Sequence, residues 1–447
     1  MSNARSGIGS KSLWTIGTYV VSAGIRFASN IVLSRLLGPE ILGIVVIAQA
    51  VRVGTDLLSD VGLEQNVIHS PAGEDTDFLN TAWTIQVIRG ILISLVCLAL
   101  SPWLAGFYGV DTRVLFAISL APFISAMMST GIYTLAKRLD VRTRNLYDLA
   151  SEAVGLVITV ILAFTLRNVW APIFGILLAI AFRSALSYWL PHPRHRLTLS
   201  KAHAWDIFHF SKWIMISSLA FYAAVYIDRL YLGRVVTLAT LGIYGLAKAI
   251  SDLPATVAGR LAFQIVFPFV ADKRDGASGA FAEPARKELG RTRLHFLLLV
   301  AGGIATVMAW SDVAVHMLYG QRYLDAGWML CLLLIGSWIA VVAQLNEAIV
   351  FGCGQPKVVS FANTIRIAVI AALLPLGFAI GGLAGAILAL PATELCRYGI
   401  LLAAQRRARI TYVRQDLALT LVLVLVVAGW VGIRMAIGLG VPWSMIH

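Results

Sequence analysis

A stretch between Arg26 and Asp60 decides the fold: RFASNIVLSRLLGPEILGIVVIAQAVRVGTDLLSD. It predicts the end of one membrane helix, a tight turn from Leu37 to Glu40, and most of a second helix. Arg26 and Arg52 fall near the middle of these two helices. An arginine at the centre of a membrane helix costs about 2.5 to 3.5 kcal/mol on translocon-insertion scales. Both side chains are therefore expected to face protein or water, and to meet an anionic substrate or an acidic partner.

The same pattern recurs in the second half of the chain. Arg26 to Ala50 aligns without a gap with Val225 to Ala249, VYIDRLYLGRVVTLATLGIYGLAKA, a shift of 199 positions. Seven positions are identical in the two copies: Leu33, Arg35, Leu42, Gly43, Ile44, Ala48 and Ala50. Helical bundles repeated in tandem are typical of transporters, whose substrate cavity lies between the two halves. The duplication therefore favours transport over catalysis.

The composition indicates a membrane protein. Of the 447 residues, 59% are hydrophobic and 13% are charged, whereas soluble domains are about half apolar and a quarter charged. A formal net charge of +13 could indicate nucleic-acid binding, but most basic residues lie in short loops between apolar segments. Membrane topology explains that placement, so no nucleic-acid partner is expected. The predicted fold class is an all-α polytopic membrane protein.

About 20 apolar residues are needed to cross a bilayer as a helix. The sequence predicts thirteen such spans, near residues 13–36, 41–68, 80–105, 112–135, 145–166, 170–190, 209–232, 239–268, 292–310, 326–350, 359–379, 383–404 and 416–438. We expect two six-helix lobes, residues 1–204 and 205–404. Residues 405–447 then hold one additional C-terminal membrane helix.

The distribution of basic residues predicts the orientation in the membrane. With the amino terminus inside, the inner loops carry twenty Lys and Arg residues and the outer loops carry five: Arg35, Arg113, Arg167, Arg234 and Arg322. This asymmetry follows the positive-inside rule and agrees with thirteen spans, which place the carboxyl terminus outside. The longest inner connection, Ala271 to Arg293, is too short for a soluble catalytic domain.

The sequence carries no signature of an enzyme. It contains no glycine-rich phosphate loop, nucleophile elbow or cluster of metal ligands. Its cysteines have neither disulfide nor metal spacing and are expected to be small buried hydrophobic residues: Cys97, Cys331, Cys353 and Cys396. No catalytic residue, metal or cofactor is therefore predicted.

Charged residues inside the predicted spans are the candidates for function. Lys212 and Arg434 lie close to helix ends, where their side chains are expected to reach the interface. Other basic residues lie deep: Arg26, Arg52, Arg89, Arg183, Arg229, Lys248, Arg260, Arg366 and Arg397. The deep acidic residues are fewer: Asp56, Asp228, Asp252, Glu347 and Glu394. This excess predicts a cationic, substrate-binding central cavity lined by Arg26, Arg52, Arg89, Arg229, Lys248, Arg260 and Arg366.

Two basic–acidic pairs occupy similar places in the two halves. Arg52 and Asp56, and likewise Lys248 and Asp252, are four residues apart and share one helical face. Either they are structural ion pairs, or a substrate anion competes with the carboxylate for the cation and couples transport to a proton or another ion. The ion-coupling candidates are Asp56, Asp252, Glu347 and Glu394. For the two glutamates, a hydrogen-bonded structural role is the alternative.

Several short motifs together resemble those of one family. They are the Leu-Gly-Pro-Glu turn with Leu42-Gly43, SDVGLEQ from Ser59 to Gln65, Ile227-Asp228-Arg229 with Leu241-Gly242-Ile243-Tyr244, Phe267-Pro268, Tyr319-Gly320 with Ala326, and Gly354-Gln355-Pro356-Lys357 leading to Asn363 and Arg366. In these motifs the chain resembles the Wzx-type oligosaccharide flippases, a polysaccharide-transport branch of the multidrug/oligosaccharidyl-lipid/polysaccharide exporter superfamily. The resemblance covers nearly the whole chain.

The resemblance implies a V-shaped pair of six-helix lobes that works by alternating access. The implied function is to flip an undecaprenyl-diphosphate-linked oligosaccharide across a bacterial inner membrane for exopolysaccharide, capsule or O-antigen synthesis, driven by a proton or sodium gradient. Lipid-flipping relatives carry cavity arginines on their first helices, which Arg26 and Arg52 match by helix and depth. A polysaccharide polymerase and chain-length machinery are the implied protein partners. The thirteenth helix departs from the family's twelve-helix core.

Two other functions stay open. A multidrug or other small-molecule exporter of the same superfamily should have a net acidic cavity, whereas basic groups dominate the deep positions here. A membrane glycosyltransferase or polymerase of polysaccharide assembly should have a sizeable outer loop with clustered acids or arginines, and the sequence has none. A scaffold without transport would leave nine deep cations unexplained.

Overall fold

The computed structural model describes residues 2–58, 61–191, 195–273 and 283–443, and its regular elements are helices throughout this part of the chain. The first ten helices are α1 (Ser2–Leu36), α2 (Pro39–Leu58), α3 (Leu63–His69), α4 (Thr76–Tyr108), α5 (Thr112–Ile118), α6 (Ala121–Ala126), α7 (Gly131–Lys137), α8 (Val141–Leu166), α9 (Trp170–Leu186) and α10 (Lys201–Val235). They are followed by α11 (Leu238–Leu261), α12 (Phe267–Lys273), α13 (Glu283–Ala309), α14 (Ser311–Tyr319), α15 (Asp325–Gly352), α16 (Pro356–Arg407) and α17 (Val413–Ala436). Ser59 and Asp60 of the SDVGLEQ motif lie outside the described residues.

The described helices are those of a multi-pass membrane protein. Nine of them are long and apolar enough to cross a membrane, or ten if one bent pair counts as a span. Helix α16 is counted as one span in that number. A straight helix of its 52 residues would be about 78 Å long at 1.5 Å per residue, which is more than twice the thickness of the hydrocarbon core of a bilayer. Its backbone leaves helical geometry at Gly381 and Gly382. Two spans therefore meet there, at the break predicted between residues 379 and 383.

The span predicted at 112–135 is wrong as one continuous helix. Helices α5, α6 and α7 replace it, and the pair Thr112–Ala126 and Gly131–Lys137 is bent by 56°. At the break, the side-chain amide of Gln86 on α4 donates hydrogen bonds to the carbonyl oxygens of Ala126 and Met128, at 2.8 and 2.9 Å. A neighbouring helix thus supplies the partners that the interrupted helix lacks, which is how a break is tolerated at membrane depth.

The helix boundaries repeat with the same shift as the sequence. Helix α1 and helix α10 both have 35 residues, and every boundary of α10 lies 199 positions after its counterpart in α1. Likewise, α11 begins at Leu238 and α2 at Pro39. The two copies of the pattern therefore fold into the same helix–turn–helix unit, as the seven identities predicted.

Glycines at equivalent positions let α2 and the start of α11 touch through their backbones. A Cβ added at Gly43 would overlap the carbonyl oxygen of Leu238, and one added at Gly242 would overlap the carbonyl oxygen of Pro39. The contact is reciprocal, because each glycine faces the first turn of the other helix. Both copies of the repeat thus have glycine here, at Gly43 and Gly242, for a steric reason: neither position has room for a side chain.

Contacts divide the chain into two compact units, Met1–Gly242 and Ile243–His447. Helix α10 belongs to the first unit, where it packs on α2, α3 and α4. The lobe boundary after residue 204 stays a prediction. In the second unit, α15 is the central helix, since it contacts α13, α14 and α16. Helix α15 carries apolar residues on all of its faces, which is typical of a helix buried inside a bundle.

Two arginines lie in unexpected surroundings. Arg434, expected to reach the interface, is 1% exposed and binds Asp312 through two hydrogen bonds of 2.8 and 2.7 Å. Arg293, placed at the end of an inner loop, is 1% exposed within α13 and binds Asp416 at 2.7 Å. Both expectations are wrong, because an acidic residue far away in the sequence is brought next to each guanidinium group.

The cysteines carry no disulfide. Cys97, Cys331 and Cys353 are buried, as predicted, whereas Cys396 is exposed.

Candidate functional site

The first unit contains a charged cleft between α1, α2, α8 and α9. We call it the first cleft; its cavity has a volume of about 330 Å³. Its charged lining consists of three arginines and one glutamate: Arg26, Arg52, Arg183 and Glu152. The structure therefore brings the two arginines of the opening stretch into one cavity, on adjacent helices of the repeat unit.

Each guanidinium group in the first cleft has an acidic partner. Arg26 binds Glu152 on α8 at 2.9 Å. Arg52 binds Asp56 at 3.3 Å and the side-chain oxygen of Gln49 at 3.0 Å. The cations are thus held by ion pairs that an anion must displace or share.

Arg183 closes the α8–α9 side of the first cleft. It binds Asp148 at 2.6 Å, and its guanidinium carbon lies 5.2 Å from the centroid of the Tyr147 ring. Two contacts of different kind fix its position, so Arg183 is oriented by α8 while it lines the cavity.

The pair between Arg26 and Glu152 contains the most exposed of the three arginines. Arg26 is 53% exposed and Glu152 is 27% exposed, so the guanidinium group is open to an entering anion while it is bound to the carboxylate. By contrast, the carboxylate atom Oε2 of Glu152 is buried without a hydrogen-bond partner, so this pair leaves one acceptor unsatisfied.

Small residues bring the two helices of the cleft floor together. A Cβ at Gly155 of α8 would lie 3.0 Å from the Cβ of Ala179, and one at Gly175 of α9 would lie 2.6 Å from the hydroxyl of Thr159. Close helix packing through glycine and alanine is common inside membranes. Here it places Glu152 and Arg183, on different helices, at the same cavity.

The second unit contains a smaller charged cleft between α11, α15 and α16. We call it the second cleft; its cavity volume is about 120 Å³. Its charged lining is Lys248, Asp252, Arg366, Glu394 and Arg397. All five are among the deep charged residues of the sequence, and all but Arg397 were named as cavity-lining or ion-coupling candidates. They come from helices far apart in the sequence.

Three of the charged residues that line the second cleft form a network with Glu347. Glu394 binds Arg366 at 2.8 Å with one oxygen and Arg397 at 3.0 Å with the other. Arg397 also binds Glu347, and Asn363 donates to Glu347 at 3.4 Å.

Exposure separates two parts of the second cleft. Arg397, Glu347 and Glu394 are 3%, 8% and 8% exposed. Lys248 binds Asp252 at the open side of the cleft, where the Asp252 side chain is 43% exposed. A buried charge cluster and a more exposed ion pair therefore line the same cleft.

Three candidates predicted for the cavity lie outside both clefts. Arg89 is partly buried on α4, and Arg260 is exposed on α11. Arg229 lies over the ring of Tyr226, at 5.0 Å from its centroid, beside the buried Asp228. Their place in a shared cationic cavity stays a prediction.

Sequence reasoning missed the acidic partners of the first cleft, Glu152 and Asp148. Both lie more than 30 positions from the arginines they bind, so neither stands at helical spacing from its partner. The only signal in the sequence was their location within a predicted span. The excess of basic over acidic residues within the predicted spans is thus smaller than predicted.

The comparison with family models decides the classification. The model described as "Polysaccharide biosynthesis protein" matches residues 32–327, about two thirds of the chain. The chain belongs to the polysaccharide biosynthesis protein family. The resemblance found in the motifs is thereby confirmed.

Three known proteins resemble this chain over most of its length. It is 22% identical to an uncharacterized membrane protein in the cps region of Klebsiella pneumoniae, over 83% of this chain and 77% of that protein. It is 20% identical to the succinoglycan biosynthesis transport protein ExoT of Rhizobium meliloti (strain 1021), over 79% and 71%. It is 21% identical to the lipopolysaccharide biosynthesis protein WzxC of Escherichia coli (strain K12), over 69% and 63%.

This family member shares its fold with a lipid flippase and a multidrug transporter of known structure. The lipid II flippase MurJ in its inward closed conformation superposes with a TM-score of 0.74 at 11% identity, over 92% of this chain and 91% of that one. An inward-facing multidrug resistance MATE transporter superposes with a TM-score of 0.66 at 16% identity, over 87% and 94%. The fold predicted from the motifs, that of the multidrug/oligosaccharidyl-lipid/polysaccharide exporters, is confirmed.

Proposed function

We propose that this protein flips an undecaprenyl-diphosphate-linked oligosaccharide across the bacterial inner membrane, as a secondary transporter for polysaccharide synthesis. The observation that supports the proposal is the first cleft, where Arg26 and Arg52 line one cavity. A diphosphate loses its hydration when it enters an apolar layer. Guanidinium groups replace that hydration with charge-assisted and often bidentate hydrogen bonds.

Binding of the diphosphate is an exchange of partners. Arg26 gives up Glu152, to which it is bound in an accessible pair, and Arg52 turns from Asp56, to which it is bound at 3.3 Å. Phosphate oxygens then occupy the places of the carboxylate oxygens. The carboxylates released in this step are free to take up a proton or a cation, which links substrate binding to the ion gradient.

The second cleft supplies the remaining coupling groups. Asp252 is the accessible member, while Glu347 and Glu394 are held by Arg397. Protonation or sodium binding at Asp252 breaks its pair with Lys248, and the freed Lys248 adds a cation to the cleft. Transport is therefore expected to depend on Asp56, Asp252, Glu347 and Glu394, with no metal cofactor and no catalytic residue.

The proposed orientation has the amino terminus in the cytoplasm and the carboxyl terminus in the periplasm. The inner side then carries the basic ends of α13 and α16, in agreement with the positive-inside rule. A polysaccharide polymerase and chain-length machinery are the proposed partners on the product side.

Export of a drug is the second candidate, and the MATE-like fold is the observation that favours it. A cationic drug requires an accessible net negative charge in the transport cavity. The first cleft offers three guanidinium groups and one carboxylate in its lining, which suits an anion better. The glycosyltransferase alternative lacks support in the family and the fold.

Binding of a polyprenyl diphosphate tests the proposal directly. We expect farnesyl diphosphate to bind the purified protein, and the double variant Arg26→Gln/Arg52→Gln to weaken binding at least tenfold. Glu152→Gln should strengthen it several-fold, because Arg26 no longer has a competing carboxylate. Arg113→Gln is the control: it removes one exposed cation of α5 outside the cleft. Equal affinity for the wild type and the double variant would remove Arg26 and Arg52 from the substrate site.

Transport in proteoliposomes tests the coupling. With an imposed proton or sodium gradient, flipping of a short-chain diphosphate-linked sugar should be gradient-dependent in the wild type. The variants Asp56→Asn and Asp252→Asn should lose that dependence. If gradient dependence is unchanged in both, the two aspartates are structural ion-pair partners only.

A further inference from the structure

The Ile243–His447 unit contains a groove that is separate from the second cleft. It runs between α13 and α17, has a volume of about 650 Å³, and is called here the α13–α17 groove. Arg286 and Lys287 line one end. Leu294, Leu298, Ala418 and Val422 line the rest.

The polar end of the groove lies at the amino-terminal ends of both helices. The hydroxyl of Tyr412, before α17, donates to the carbonyl of Arg286 at 2.9 Å, and the side chain of Gln415 donates to the carbonyl of Gly290 at 2.7 Å. Both helices therefore start at the same side and run in parallel. Their dipoles place partial positive charge at the end that Arg286 and Lys287 already make basic.

The length of the groove matches one leaflet of a bilayer. At 1.5 Å per residue, the distance along α13 from Arg286 to Leu298 is about 18 Å, and along α17 from Tyr412 to Val422 about 15 Å. Half of a hydrocarbon core is about 15 Å. A ligand with a charged head at one end and an apolar chain of leaflet length fits these dimensions.

A buried ion pair between α13 and α17 fixes the two helices that form the groove. Arg293 and Asp416 are 1% and 5% exposed and lie 2.7 Å apart, and the ring of Tyr412 lies against Arg293 with its centroid at 4.8 Å. The side-chain oxygen of Gln415, which also lines the groove, is buried without a hydrogen-bond partner.

The charged residues at the end of the α13–α17 groove indicate which class of ligand fits it. Arg286 and Lys287 contribute two positive charges, and Glu283 contributes one negative charge, 3.8 Å from Arg286. The net positive end complements a phosphodiester of single negative charge. Basic pockets between membrane helices on the cytoplasmic side are known to bind anionic lipid headgroups, and the positive-inside rule places this end on that side.

We propose that the α13–α17 groove binds one anionic phospholipid of the inner leaflet. The phosphate lies between Arg286 and Lys287, and one acyl chain follows Leu294 and Leu298 on α13 and Ala418 and Val422 on α17. The bound lipid joins two helices that otherwise meet along the floor of the groove, and so stabilises the second unit. This site is independent of what the protein transports.

Thermal unfolding of the full-length protein in detergent tests the proposal. Near-saturating dioleoylphosphatidylglycerol should raise the midpoint by about 5 °C, while dioleoylphosphatidylcholine and glycerol 3-phosphate should have little effect. Arg286→Gln/Lys287→Gln should abolish the rise. The matched control is Arg406→Gln/Arg407→Gln, which removes two exposed charges from the end of α16 and should retain it.

The apolar part of the groove is tested separately. Ala418→Leu fills the groove without changing its charge and should abolish the effect of phosphatidylglycerol. Ala428→Leu adds the same atoms at an exposed position of α17 farther along the helix and should leave it intact.

Four results would overturn the proposal. An equal rise with phosphatidylcholine would mean unselective lipid, and a rise with glycerol 3-phosphate alone would mean a soluble phosphate. Retention of the phosphatidylglycerol effect in both groove variants would place the lipid elsewhere. Loss of farnesyl diphosphate binding in the Arg286→Gln/Lys287→Gln variant, with no phosphatidylglycerol effect in the wild type, would assign the groove to the transported lipid.

Discussion

Replacing Arg397 by methionine should destabilise the second unit strongly. Arg397 is 3% exposed and is bound to Glu347 and Glu394, each 8% exposed. Removing one partner of a buried ion pair costs about 3 to 5 kcal/mol, because a buried charge is left uncompensated. After the substitution Glu394 keeps Arg366 at 2.8 Å and Glu347 keeps Asn363 at 3.4 Å. We therefore expect the lower end of that range, about 3 kcal/mol.

The change should be visible in the melting temperature. For a unit of about 200 residues, each kcal/mol lowers the midpoint by about 2 to 4 °C, so Arg397→Met should melt about 6 to 12 °C below the wild type. Thermal unfolding followed by tryptophan fluorescence or by loss of the monodisperse peak on size-exclusion chromatography measures the difference. The matched control is Arg407→Met, an exposed arginine at the end of the same helix, which should melt as the wild type does.

A second substitution identifies the cause. Adding Glu347→Gln to Arg397→Met removes the carboxylate that has lost its cation, while Glu394 keeps Arg366, so the double variant should recover a large part of the lost stability. If Arg397→Met melts together with its control, Arg397 does not compensate these carboxylates, and the buried network described for the second cleft is refuted.

Three further substitutions probe the fold. Gly43→Val should destabilise the first unit by about 1 to 3 kcal/mol, because its side chain would overlap the backbone of Leu238. Arg434→Met should cost about 3 kcal/mol in thermal unfolding, since it leaves Asp312 and two backbone carbonyls without their buried donor. Gly382→Ala should cost about 1 to 3 kcal/mol, because φ at this residue is +55° with ψ at −142°. Each value is measured as a shift in the unfolding midpoint.

The chain offers controls for the two glycine predictions. Gly429→Val and Gly399→Ala place side chains where nothing lies within 4 Å and where φ is not in the left-handed region. Neither variant should melt below the wild type. A Gly43→Val variant as stable as Gly429→Val would show that α2 and α11 do not touch through their backbones.

Much of the fold was predictable because it depends on local patterns of apolar residues in the sequence. Apolar segments of span length fix which residues become membrane helices, and the break at Gly381–Gly382 fell where the prediction separated two spans. The interruption of the span at residues 112–135 was not predictable, because it depends on Gln86, a side chain of another helix, to satisfy the carbonyl groups at the break. A sequence window does not contain that partner.

The candidate site was predicted only in part, for a similar reason. Arg52 with Asp56, and Lys248 with Asp252, stand at helical spacing, and the structure pairs them. The partner of Arg26 comes from α8, 126 positions away.

The sequence by itself determined that this chain is an all-helical membrane protein with a tandem repeat, and that it carries arginines within its predicted spans. Hydropathy, charge placement and identity between the two copies are properties of the chain, so folding does not alter them. Only the tertiary structure decided which carboxylate each arginine meets, and hence that Arg26 lies in an accessible pair while Arg397 and Arg434 are locked in buried ones. Electrostatic interactions act through distance and burial, and both are set by helices that pack together from distant parts of the sequence.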